Sequence, residues 1–137
     1  MLYLLRTADC KAPAFTLDKL EVAVQILHDI CPTTLECFII LDDDIRMQNG
    51  KEVRGRYTLL ETWFPCMPDN KSRGVIFINE DCTFSEMCTV LVHEYSHHLT
   101  GEGHDGKLFN LFRDWLRNEF VRRYLKHVER REDQNSD

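Results

Sequence analysis

The sequence contains no long apolar run. A run such as Cys37 to Leu41, which none exceeds in length, falls far short of the roughly 20 residues that a membrane-spanning helix needs, so no membrane partner is expected. Met1–Arg6 has too short an apolar core, and no basic start, to read as a signal peptide. None of the six cysteines, Cys10, Cys31, Cys37, Cys66, Cys82 and Cys88, forms a CxxC pair, which excludes a zinc-ribbon arrangement. An even cysteine count is compatible with disulfides, but without an export signal reduced, packed thiols in a cytoplasmic protein are the expectation. Positive charge is not in excess either. Seventeen Lys and Arg against 23 Asp and Glu leave a net charge of -6, which argues against a dedicated nucleic-acid binder. There is no internal repeat and no linker. The 137 residues, 43% hydrophobic and 29% charged, read as one domain over 1–131 and a disordered tail over 132–137.

Within that frame the periodicities predict an α+β fold. Residues 2–5 read as a short strand. Thr16 looks like an N-cap with Asp18 in the first turn, and Leu17, Leu20, Val24, Leu27 and Ile30 recur at helical spacing before Pro32. The continuous apolar run Cys37–Leu41 predicts a buried strand. Asp42-Asp43-Asp44 follows without the glycine and distal glutamate of a calcium loop, so a solvated strand end is expected. Asn49-Gly50 signals a turn, residues 55–64 and 74–79 read as strands, and 65–73 reads as a loop. Thr83-Phe84-Ser85-Glu86 fits a capping box that opens a helix, with Gly101 placed to end it. A last helix is expected from about Gly106 to Val128, with Leu108, Leu111, Phe112, Trp115 and Leu116 as its core stripe. Its later part, Arg113 to Arg131, carries seven Lys or Arg against three Asp or Glu, and reads as a solvated basic face.

The chemistry is concentrated in His93-Glu94-Tyr95-Ser96-His97, an HExxH pattern on the capped helix. Residues four apart on a helix lie about 40° apart around its axis, so both imidazoles project from one face and reach one metal ion. Glu94, one position round, reaches a water on that ion. A catalytic zinc takes three protein ligands and keeps one position open. His104 is the nearest third ligand, with Gly101 and Gly103 allowing the sharp turn that brings it back. Glu119, 22 residues after His97, is the rival. Glu102 is a weaker choice, and His98 points off the ligand face. Gly101 and His104 lie one residue too late for a metzincin, and no methionine follows Met87 for a Met-turn.

This arrangement resembles the SprT-like zinc metallopeptidases and their small bacterial and phage relatives, in which HExxH is followed by a third histidine, often a glycine, and soon an aromatic residue. The matching residues are His93-Glu94-x-x-His97, His104, Gly106 and Phe109, and the element order is similar over roughly residues 17–125. The resemblance implies a zincin-like domain: an N-terminal helix, a small antiparallel sheet of three or four strands, the HExxH helix and a long C-terminal helix. It also implies one zinc ion per chain, a protein or peptide substrate bound by β-addition at the edge of the 74–79 strand, and an adaptor protein as a further partner. Asp105, between His104 and Gly106, departs from the pattern and leaves open whether Phe109 or Leu108 takes the aromatic's place.

The expected reaction is amide hydrolysis, with the metal acidifying a water and polarising the substrate carbonyl and Glu94 acting as general base and then general acid. Tyr57, Tyr95 and Arg73 are candidates for stabilising the oxyanion. Two alternatives stand beside the peptidase: a noncatalytic zinc-stabilised binding domain, and a zinc amidase acting on a non-peptide bond. Glu94 argues against the first, because a purely structural site has no use for that carboxylate.

Overall fold

The computed structural model describes residues 2–7, 10–32, 36–43, 53–59 and 73–135. The elements, in chain order, are β1 (Leu2–Arg6), α1 (Ala14–Ile30), β2 (Cys37–Asp42), β3 (Gly55–Leu59), β4 (Gly74–Asn79), α2 (Phe84–Thr100) and α3 (Lys107–Asn135). The chain is mixed α and β. Its single described sheet has the order β1-β2-β4-β3.

The sheet is not the antiparallel one expected. β1 pairs parallel with β2, and β2 parallel with β4; only β3 runs antiparallel, against β4. The cause lies in α1. A helix between two strands carries the chain back to where the first strand began, so β2 starts in the direction of β1. β4 is therefore interior, hydrogen-bonded on both sides, and its edge cannot accept an extended peptide. Among the described residues the outermost strands are β1 and β3.

Several local expectations shift by a few residues. Pro13, with φ -61° and ψ 148°, caps α1 without a side-chain bond, and its carbonyl accepts the N–H groups of Thr16 and Leu17. Thr16 therefore lies inside the helix, and Asp18 falls outside the first turn. The ring presets the entry dihedral, which makes a hydroxyl cap dispensable. β2 alternates buried and half-buried positions instead of being buried throughout, because only one sheet face meets the helices. Phe38 on the other face stacks against Tyr3 at 5.4 Å. Helix α3 continues to Asn135, so residues 132–135 are helical and not tail. The expected turn at Asn49-Gly50, residues 60–64 of the predicted second strand, residues 65–72 of the loop, and Cys66 lie outside the described residues.

Helices α1 and α2 lie on the sheet, and α3 packs across both. Leu20, Ala23, Val24 and Leu27 of α1 meet Cys37, Ile39, Leu41, Ile76 and Ile78 of the sheet, Met87, Leu91, Val92 and Tyr95 of α2, and Leu116 and Phe120 of α3 in one core. Here the predicted stripe of the last helix is corrected. Phe109, Leu116 and Phe120 are buried, while Leu108, Leu111 and Trp115 are exposed. The first turns of α3 are apolar on two faces, and contact with α2 decides which one is covered.

Candidate metal centre

Both ends of α2 are held as the sequence predicts. Thr83 Oγ1 accepts the Glu86 N–H at 3.2 Å, and the Glu86 carboxylate accepts the Thr83 N–H at 3.0 Å. Gly101 ends the helix at φ 68°, a conformation that suits glycine, and its N–H donates to the His97 carbonyl. The chain then loops over residues 101–106 and enters α3.

That loop brings His104 back over the helix. His93 Nε2 and His104 Nε2 are 2.9 Å apart, and His97 Nε2 and His104 Nε2 are 3.2 Å apart. One nitrogen from each of the three rings lies within 4.8 Å of the others. A tetrahedral ion with bonds of about 2.0–2.1 Å holds its nitrogen ligands about 3.3 Å apart, close to these separations. The tautomer agrees. His97 Nδ1 lies 2.7 Å from the Glu102 carbonyl oxygen, which can only accept, so Nδ1 carries the proton and Nε2 presents its lone pair to the cluster. Burial above all lowers the pKa of His93 to about 4, with repulsion from His97 and His104 adding to it. Burial also lowers that of His97, against the opposing bond to Glu102. Neutral imidazoles are the form that binds metal. The three histidines can hold a metal ion, and His104, exposed to solvent, leaves the cluster open on one side.

Phe109 forms a wall to this cluster. Its buried ring stacks on His97 at 4.2 Å and meets His93 edge-on at 5.2 Å. Leu108 points into solvent, so Phe109 is the aromatic residue at the site. The rival ligands are occupied elsewhere. Glu119 pairs with Arg122 and Arg123 on its own helix and does not belong to the histidine cluster. The Glu102 carboxylate accepts the Phe109 N–H at 2.7 Å near the start of α3. Glu102 thus works twice, orienting His97 through its carbonyl and anchoring α3 through its side chain, and Gly106 leaves room for that side chain. Asn110 ties the loop to α3 by donating to the carbonyls of His104 and Gly106. Neither role was legible in the sequence beyond the glycine spacing of the loop. Replacing Glu102 by alanine removes the anchor and is expected to lower stability by about 1 kcal/mol, as loss of a helix cap does, with the affinity of the histidine cluster for a divalent metal weakened but not abolished. Thermal unfolding and a metal titration measure both.

Glu94 faces β3. The sheet register explains the contact. The Arg54 carbonyl accepts the Asn79 N–H, so by antiparallel alternation the even-numbered residues of β3 bond to β4, and Gly55, Tyr57 and Leu59 turn their backbone groups outward. The outward Tyr57 N–H donates to the Glu94 carboxylate and lowers its pKa. Burial outweighs this and raises it to about 7. A cleft of about 490 Å3, lined by Arg54, Gly55, Glu86, Val90, His93 and Glu94 among others, runs between β3 and α2. Arg54 and Glu86 form an ion pair at 3.1 Å along it.

The three oxyanion candidates are engaged otherwise. Tyr95 is buried and donates to the Cys31 carbonyl at 2.8 Å, Arg73 pairs with Glu36, and Tyr57 Oη is bonded to His98. No helix among the described residues is long and apolar enough to cross a membrane. No family model matches the chain, and a search of curated proteins finds no match.

Proposed function

We propose that the chain is a zinc-dependent metallopeptidase of the minimal HExxH kind, as its resemblance to the SprT-like enzymes implies. The observation that carries this reading is the convergence of three Nε2 atoms, from His93, His97 and His104, beside a buried carboxylate, Glu94, on the same helix. A three-imidazole set with an open side suits zinc among the available metals. When bound, zinc supplies the Lewis acidity that polarises a carbonyl and brings the pKa of a water to about 7.

The remaining steps belong to the protein. His93, His97 and His104 hold the ion, and Phe109 keeps water off one side of the rings. Glu94, with a pKa near neutrality, takes a proton from the attacking water as the carbon–oxygen bond forms. It passes that proton to the amine nitrogen as the carbon–nitrogen bond breaks. β4 is interior and the outward N–H of Tyr57 is already spent on Glu94, so the peptide enters by the cleft between β3 and α2, which leads to Glu94.

The test is elemental analysis of the purified chain together with cleavage of an unfolded protein. About one zinc per chain is expected, with cleavage abolished by a zinc chelator and restored by zinc. Zinc without cleavage of any polypeptide, but with hydrolysis of small amides, moves the chain to the non-peptide amidases. Zinc that survives chelation, with no hydrolysis at all, makes it a zinc-stabilised binding domain.

A further inference from the structure

Residues 90, 94 and 98 lie on one face of α2, one turn apart, and β3 lies along that face. At one end Gly55 approaches so closely that a Cβ there would meet Val90 Cγ1 at 2.1 Å. In the middle the Tyr57 N–H donates to Glu94. At the other end Tyr57 Oη and His98 Nδ1 share a hydrogen bond of 2.9 Å. Tyr57 therefore grips the helix twice, by its backbone at Glu94 and by its side chain one turn later.

His98 is fixed in its turn. Its ring stacks on Tyr95 at 6.0 Å with an interplanar angle of 18°, and Tyr95 is anchored to the Cys31 carbonyl. A Cβ at Gly74 would lie 2.5 Å from His98 Nδ1 and 2.9 Å from Tyr57 Oη, so glycine at 74 makes space for the bond. His98 is also a costly choice for its place. It is 7% exposed, and its Nε2 has no partner among the described residues. A polar ring buried with one nitrogen unsatisfied lowers stability relative to an apolar residue. The bond to Tyr57 is what the imidazole provides there and a phenyl ring cannot.

We infer that Tyr57 and His98 form a clamp that holds the outer edge of β3 in register with α2, making Tyr57 a positioning residue for Glu94. The inference rests on the proposed reaction for its consequence and on the geometry for its mechanism. Tyr57→Phe leaves the ring and the backbone N–H in place and removes only the tie to His98. The strand edge then slides against the helix, and the Glu94 carboxylate loses the donor that sets its direction. Small misplacements of a catalytic group are expensive in rate.

The experiment compares Tyr57→Phe, His98→Phe and the double variant with the zinc-loaded parent chain, using a peptide substrate and amide hydrogen exchange. Each single variant is expected to lower kcat about tenfold at unchanged KM and zinc content. The double variant is expected to be no worse than either single, because both remove one interaction. The amide at position 57 is expected to exchange faster, while those at 56 and 58, paired with β4, stay protected. Unchanged kcat and unchanged exchange at position 57 overturn the clamp. Additive losses, lost zinc, or general loss of protection across β3 also overturn it, since they indicate a merely structural role. If the parent chain hydrolyses nothing, the peptidase reading fails, and the exchange at position 57 alone decides the clamp.

Discussion

Replacing His104 by alanine is expected to remove zinc from the purified chain and to abolish hydrolysis, while Glu119→Ala leaves both intact. The reason is geometric. His104 Nε2 lies within 3.2 Å of both other ring nitrogens and completes the three-ligand set, whereas Glu119 is held by two arginines on its own helix. Loss of a residue that only orients a ligand weakens metal binding about 10–100-fold. Loss of a ligand exceeds that, so a competition titration against a chromophoric chelator is expected to show an affinity drop of more than about 100-fold. His104 is exposed, and the loop is tied to α3 through its backbone carbonyl, which alanine keeps, so the fold survives the change. Circular dichroism checks this. Zinc retained at full affinity in His104→Ala would sink the assignment.

Glu94→Gln is the second large effect. The amide keeps the shape and the bond from the Tyr57 N–H but cannot take a proton. A fall in kcat of about 10²–10⁴-fold is expected, the usual contribution of general acid–base catalysis, with zinc content unchanged. Stability moves in the opposite sense to activity. Burial raises the Glu94 pKa from 4.5 to about 7, so in the metal-free chain the folded state favours the protonated form. Its contribution is fully present below pH 4.5 and is lost as pH rises through about 7. The metal-free Glu94→Gln variant is therefore expected to gain stability over the parent chain above pH 7, and the gain is expected to shrink towards pH 4.5. Denaturant melts at pH 5 and pH 8 measure this. A variant less stable than its parent at pH 8 contradicts a carboxylate whose burial outweighs its one donor.

Much of α2 was legible because its determinants are local. A capping box needs only Thr83 and Glu86 three residues apart, a left-handed stop needs only Gly101, and the shared face of His93 and His97 follows from helix pitch. The strand at 74–79 was legible for the same reason. Its place in the sheet was not. Whether strands run parallel depends on what connects them and on which faces must be buried together, and no window along the chain contains that information.

The same division runs through the site. The two helical histidines, the carboxylate between them and a glycine-rich loop able to return a third histidine can all be read from the residues alone, because each depends on spacing along a single turn or loop. Tertiary structure alone decided the rest. It brought His104, not Glu119, to the cluster, chose Phe109 over Leu108 as the wall, and turned Glu102 from a candidate ligand into the anchor of α3. It also made β3 the outermost described strand on that side of the sheet and set Tyr57 across Glu94 and His98. Those outcomes depend on which of several apolar faces each element buries, a choice made by the packing of α2, α3 and the sheet against one another and not by any one of them.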